Sequence, residues 1–240
     1  MGAIFHSIIY QPIYNVLIFL YNVIPGHDFG IAIILVTLIL KLLLFPLSQK
    51  QIEQQKKLQE LQPKIKAIQE KNKDNKEKQT KELMEFYKTN KANPFGGCLP
   101  LIVQMVFLIA IYRVLLNISS AHLMADTSAL YSFIPNPGQI QSLFIGFIDL
   151  SKPFWPFAIL AAGAQFYQTK MLMGKQPPVS KEAGKNADFA QIMNKQMLYL
   201  GPGLTLFIGL KFAAGLSLYW LTSTLFAIWQ QWHLAKKELK

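Results

Sequence analysis

The sequence predicts an all-α integral membrane protein: five transmembrane helices forming a bundle with a hydrophilic groove, plus a cytoplasmic helical hairpin and an N-terminal interfacial helix. Two observations carry this: where the charges fall, and how long the stretches without them are. Apolar residues make up 52% of the 240 residues, close to an ordinary fraction, but charge is confined to a few segments. Residues 29–47 hold one charge, Lys41, and residues 98–117 hold one, Arg113. Residues 153–169, 196–210 and 212–235 hold none. About 20 helical residues, rising ~1.5 Å each, cross a hydrocarbon core of ~30 Å. Five such helices buried in a soluble protein of this size would leave too little polar surface to cover them.

The elements follow in order. Residues 1–28 lack a basic n-region and a small-residue cleavage site, so they do not read as an ordinary signal peptide. Gln11-Pro12 interrupts their apolar run, and an amphipathic helix over 12–23 lying in the outer interface is expected. Spans are expected at 29–47, 98–117, 153–172, 193–210 and 213–232, with Pro46, Pro100, Pro156 and Pro202 near their ends, where proline costs least.

The segment 48–97 differs from its surroundings. It holds 12 lysines against seven acidic residues. Leu58, Leu61, Ile65 and Ile68 repeat as one helix face does, and Leu83, Phe86 and Tyr87 give a second short stripe. KNKDNKEK between them reads as a turn, so the segment is a thin-seamed helical hairpin, and Pro63 is expected to break or kink its first helix. So few buried contacts imply a mobile element. The loop 118–152 is apolar, but IPNPG blocks a continuous helix; it is expected to cap the outer face.

Lysine placement gives the orientation. Of 24 cations, 12 lie in 48–97, five in 170–195 and three in the tail 233–240, whereas the opposite side has Lys152 and Lys211. The positive-inside rule puts 48–97, 173–192 and the C-terminus in the cytoplasm and the N-terminus outside.

Several chemistries are excluded. The single Cys98 cannot form an internal disulfide or a multi-cysteine metal site. His6, His27, His122 and His233 are far apart, and no phosphate-binding glycine loop is present. No enzymatic activity, metal or cofactor is expected. The polar residues inside the spans remain. Thr37 shares a face with Lys41; Gln104 lies on the second span; Gln165, Gln168 and Thr169 share a face of the third; Ser217, Trp220 and Thr224 form a stripe on the last. They read either as interhelical hydrogen bonds or as the lining of a groove. Lys41 is the leading functional residue, against the bland alternative of snorkelling to the inner interface. Arg113 falls on the face opposite Gln104, near the outer end of its span, and reads as snorkelling to headgroups.

VTLILKLLLFPLSQKQ, LQPKIKAIQE, MEFYKTNKANPFGGCLPLIVQM, FIDLSKPFWPFAILAAGAQFYQTKM and AAGLSLYWLTSTLFAIWQQ, in this order over about 30–235, resemble the YidC/Oxa1/Alb3 family of membrane protein insertases in its short bacterial form. NPFGGCLPLIVQM is the most specific of these runs. The resemblance implies a bacterial cell-membrane protein, multi-pass, that receives hydrophobic segments in a cytoplasm-open groove and releases them into lipid. It implies a groove cation at the position of Lys41, where the family carries arginine, and functional groups at Thr37 and Trp220, with a groove glutamine near Gln165–Gln168. Its implied partners are nascent membrane proteins and the lipid bilayer; the ribosome, the signal recognition particle pathway and the Sec translocon are open candidates. No direct nucleic-acid role is expected, because the hairpin's lysines are interleaved with acids. The rival reading is a small channel or transporter with an intramembrane lysine, although no internal repeat supports it.

Overall fold

The computed structural model describes residues 3–93, 99–120, 124–173 and 185–238. Residues 94–98 of the NPFGGC motif, 121–123, most of the expected cytoplasmic loop (174–184) and the chain ends lie outside them.

The N-terminal helix is longer than expected. It runs from α1 (Ala3–Phe5) through a π-helical turn (His6–Tyr10) into α2 (Gln11–Val23). Pro12 has no N–H for the turn before it; the wider turn, closed by the Gln11 N–H on the His6 carbonyl, carries the helix past the proline. Tyr14, Leu17, Ile18 and Tyr21 are buried on one face, while Phe19 and Val23 are exposed on the other.

Asp28 caps α3 (Phe29–Leu43), accepting from the Ile31 N–H at 2.9 Å. The first expected span does not continue to residue 47 as one rod. It stops at Leu44, and α4 (Phe45–Lys71) leaves at 66°. Pro46 lacks the N–H that would continue the ladder, and its ring disfavours a helical residue before it. Pro63, by contrast, breaks nothing: α4 runs through it, on an exposed face where water can take the freed carbonyl. The expected eight-residue turn shrinks to 72–75, because Asn75 accepts from the Lys78 N–H at 2.9 Å and starts α5 (Lys76–Thr89) early. Glu82 then accepts from Lys71 at 2.9 Å and from Asn72, tying the two helices near the turn.

Helices α6 (Leu99–Ser120), α7 (Trp155–Met173), α8 (Lys185–Lys211) and α9 (Ala214–Glu238) cover the other expected spans. α8 starts inside the segment expected to be a loop, and Pro202 sits in its interior rather than near an end, flanked by Gly201 and Gly203. Among the described residues no single helix is long and apolar enough to cross a membrane alone; α3 and α4 meet that measure only as a bent pair. Exposed apolar side chains nonetheless line the outer faces of the bundle, including Leu160 on α7, Phe207 on α8 and Leu225 on α9.

α9 is the platform. Residues 214–219 are buried throughout, and α3, α6 and α7 all lie against this helix. At Gly215 a Cβ would come 3.1 Å from Leu115 of α6 and 3.3 Å from Ile33 of α3, so a side chain here would push both back by a few tenths of an ångström, and glycine lets the three helices meet without that shift.

Loop 124–152, expected on the outer face, is more ordered than its composition suggests. A short antiparallel hairpin pairs β1 (Leu143–Phe144) with β2 (Ile148–Asp149). Phe144 lies over Gly30, where a Cβ would overlap its ring. α2 holds the rest. Asn15, 1% exposed, donates to the Ala129 carbonyl at 2.8 Å and accepts from the Tyr131 N–H at 2.7 Å. The Tyr14 and Tyr21 hydroxyls accept from the backbone N–H groups of Asp126 and Gln141 at 2.6 and 2.8 Å. Burial pushes the Tyr14 hydroxyl up to about 12, so it stays protonated near neutrality.

Two predictions follow from this cap. Asn15→Leu leaves the Tyr131 N–H unpaired and leaves the Ala129 carbonyl only its longer bond, from Gln11 Nε2 at 3.3 Å, so it should cost about 1–3 kcal/mol and expose loop 124–152 to protease in detergent. Unchanged melting and unchanged cleavage would refute the clamp. Asp149 gives a pH dependence. Burial acts to raise its carboxyl, but bonds from Ser151, Lys152 and Ser142 overcome this and hold it well below the usual carboxylate range. The unfolded chain therefore binds the proton first, and this contribution is complete above about pH 4 and is lost as pH falls below it. Asp149→Asn should flatten the acid limb of a melting-versus-pH curve for the loop.

Candidate functional site

Lys41 lies in the last turn of α3, one turn before the bend. α3 and α6 each pack on α9 but have little direct backbone contact with one another. Side chains bridge that gap. Lys41 Nζ donates to Gln104 Oε1 on α6 at 3.2 Å, and Ser223 Oγ on α9 donates to the same oxygen at 3.2 Å. The buried Tyr219 hydroxyl completes the cluster by hydrogen bonding with Ser223 and Gln104. Lys41 makes no ion pair among the described residues.

The surroundings of this bridge are asymmetric. On one side Ile33, Val36, Ile111, Val114 and Leu218 are buried together. On the other, Leu42 and Leu43 are 58% and 71% exposed. Lys41 thus sits where a closed, apolar half of the bundle gives way to an open one.

The remaining expected residues lie in several different settings. Thr37 lies one turn from Lys41, but it is buried and donates to the Ile33 carbonyl of its own helix at 2.6 Å. Gln165 and Thr169 belong to a different seam: Thr205 of α8 donates to Gln165 Oε1, and Thr169 donates to the Gln165 carbonyl at 2.9 Å. Gln168, half-buried, makes no hydrogen bond among the described residues. Ser217 is enclosed where α7, α8 and α9 converge; a Cβ at Gly209 would come 2.8 Å from its Oγ and 2.7 Å from the Ala158 Cβ. Its hydroxyl has no partner among the described residues. Trp220 is half-buried against the core, and Thr224 is buried. Arg113 is exposed.

Sequence reasoning missed Tyr219, Ser223 and Gln230. They too fall at helical spacing, on the face adjoining the expected Ser217-Trp220-Thr224 stripe. Gln230 forms a second polar station at the bend. Its Nε2 donates to Ser48 Oγ at 2.7 Å and to the Phe45 carbonyl at 3.3 Å, fastening the start of α4 to α9.

An intramembrane-type cation held by neutral partners fits the comparisons with known proteins. Residues 19–240 match the family model of the 60Kd inner membrane protein. The membrane protein insertase YidC of Fusobacterium nucleatum is 35% identical over 233 residues, 96% of this chain and 98% of that protein. Those of Pelobacter propionicus and Magnetococcus marinus are each 32% identical over 96% and 95% of this chain, but only 39% and 35% of their own lengths. The chain belongs to the 60Kd inner membrane protein family, the YidC/Oxa1 family.

The two seams respond differently to mutation. Thr205→Val removes the donor to Gln165 Oε1 and should cost about 1–2 kcal/mol. Ser217→Ala deletes a hydroxyl that already lacks a partner and should leave the melting temperature unchanged or raise it. Equal losses in thermal unfolding of the two variants would show that Ser217 has a bonding role.

Proposed function

We propose that this chain is a membrane protein insertase. It receives hydrophobic segments of nascent membrane proteins in a positively charged groove around Lys41 and passes them into the lipid bilayer. α3, α6, α7, α8 and α9 are its five spans, with α3 completed by the bent start of α4. The N-terminal helix lies in the outer interface, and the hairpin and C-terminus are cytoplasmic. The groove lining is Lys41, Gln104 and Ser223, with Gln165, Gln168, Thr169, Trp220, Thr37, Ser217 and Thr224 on the surrounding helix faces. The observation that carries the reading is the three-helix bridge: a cation at the edge of an apolar packed half, hydrogen-bonded to a neutral amide and in no ion pair among the described residues.

The mechanism needs no covalent step. An incoming segment with an acidic tail exchanges hydration for Lys41, which leaves Gln104 for the carboxylate. The apolar part of the segment then moves into lipid, driven by apolar surface leaving water at about 25 cal/mol per Å2, and the membrane potential draws the acidic tail outward. The hairpin is a docking element for arriving chains. Ribosome, signal recognition particle and Sec translocon are its candidate collaborators.

Insertion of a short single-span protein into vesicles holding only this chain tests the proposal. Lys41→Glu turns attraction into repulsion and should slow insertion of acidic-tailed substrates about tenfold or more, while Lys41→Arg should preserve it. Equal rates for wild type and Lys41→Glu would remove Lys41 from the mechanism. Cysteine at Gln104 or Gln168, in a Cys98→Ser background, should react with a water-soluble maleimide from the cytoplasmic side and poorly from outside. Fast reaction from both sides would indicate a through-pore and the channel reading.

A further inference from the structure

The base of the hairpin holds a second site, separate from the groove. An open cleft of about 540 Å3 lies between the first turns of α4 and the end of α5. Leu47, Lys50 and Gln51 form one wall, and Tyr87, Lys88 and Lys91 the other. No carboxylate lines it, and none of the three lysines is in an ion pair among the described residues. Gln51 is only 7% exposed, yet its Nε2 meets no acceptor among the described residues. A buried amide donor without an acceptor is unfavourable, so the wall is incomplete until a ligand brings an oxygen. Gln54 Oε1, in the same cleft, meets no donor among the described residues, so the ligand has to bring negative charge on acceptor oxygens and a hydroxyl donor beside them, as the glycerol of a phosphatidylglycerol headgroup does.

The apolar part of the surface specifies the rest. Leu47, within the cleft, is 41% exposed, and Leu42 and Leu43 at the end of α3 are 58% and 71% exposed. The basic cleft and this apolar surface adjoin at the bend. A ligand matching both carries negative charge at one end and alkyl chains at the other.

We propose that this cleft binds the headgroup of an anionic phospholipid: Lys50, Lys88 and Lys91 surround the phosphate, Gln51 Nε2 donates to one of its oxygens, and the acyl chains run along Leu42, Leu43 and Leu47. The proposal rests on the reading that α3 ends at the cytoplasmic leaflet. Bound lipid fastens the base of the hairpin to that leaflet and leaves its tip free to move, so the content of acidic lipid sets how the hairpin stands over the groove.

The test uses the purified full chain in neutral detergent, titrated with phosphatidylglycerol or phosphatidylcholine and read by native mass spectrometry. Wild type should retain one phosphatidylglycerol in preference to phosphatidylcholine. Each lysine near an anionic headgroup contributes about fivefold, so the Lys50→Gln/Lys88→Gln/Lys91→Gln chain should bind roughly 100-fold more weakly. Lys88→Gln alone, at an exposed position, should lose about fivefold and covers the case in which the triple variant fails to fold. Gln51→Leu should weaken retention without altering the preference for charge. Equal retention by wild type and Lys88→Gln would overturn the assignment. Displacement by inorganic phosphate at the same concentration would make this a free-phosphate site, and displacement by a short acidic peptide a peptide site; either result overturns the lipid. Carbonate washing of vesicles distinguishes the deeper failure: a chain that washes out is not embedded, and the membrane reading falls with it.

Discussion

A cation among apolar helices has to keep water or a hydrogen-bond partner, and the arrangement of the bundle around Lys41 follows from that constraint. The partner is the Gln104 amide oxygen, 3.2 Å away on a helix that α3 barely touches. α9 makes this possible by carrying both neighbours and contributing Ser223 to the same oxygen. Toward the start of α9 the helices draw together, and Gly215 lets Ile33 and Leu115 close the gap. Toward the bend they part, and the surface beyond Lys41 is exposed leucine. The lysine stands at the boundary because a turn further in it would be enclosed by aliphatic side chains, and a turn further out it would be an ordinary surface charge.

The two ends of the molecule treat their polar groups differently. At the α2 end they are paired: Asn15, Tyr14 and Tyr21 each take a backbone group of loop 124–152, and Asp28 joins the cap by accepting from the Ile145 N–H at 2.6 Å. That end is a rigid lid of hydrogen bonds laid over an apolar plug. At the α4 end, buried atoms of Gln51, Gln54 and Gln231 lack partners among the described residues. Unpaired amides suit surfaces that take in something else, be it water, lipid or an arriving chain. One end closed by hydrogen bonds and the other with polar groups still unmet is what a device that loads from one side requires.

Much of this was legible in the sequence, for identifiable reasons. Charge-free stretches mark helices because an apolar helix surface and an uncharged sequence are the same fact, so the helices at 98–117, 153–172 and 213–232 were found to within a few residues at most ends. Lys41 and Gln104 each stood out as a polar group in an apolar stretch, but the bond between them was not legible, because it depends on how α3 and α6 sit on α9. What failed was local geometry decided by tertiary context. Pro46 bends the chain by 66° while Pro63 leaves α4 whole, and nothing in the two local sequences separates them; one sits at a junction held by Gln230, the other on an exposed face. The polar face of α9 was read one step around the helix, at Ser217-Trp220-Thr224 instead of Tyr219-Ser223-Gln230, because which stripe meets α6 depends on a helix rotation that spacing does not encode. The clamp from Asn15 to a loop 114 residues away has no local signature at all.

The choice of lysine bears on how the site could work repeatedly. An arginine fork would hold a carboxylate through two parallel bonds, but it would also spread several donors over its neighbours at rest. Lysine is a compact charge on a flexible stem, and here one bond to Gln104 positions it. On the proposed mechanism Lys41 exchanges that bond for one to an incoming acidic group. The amide oxygen it leaves is not orphaned, because Ser223 still donates to it. The resting state therefore costs little to vacate, since no ion pair has to be broken and no buried acceptor is stranded. The same arithmetic favours release: once the apolar segment has entered lipid, Gln104 remains oriented by Ser223, with a lone pair turned toward the lysine for its return. A carboxylate in Gln104's place would hold Lys41 too firmly for this exchange, and a leucine would leave the ammonium without a protein partner between substrates.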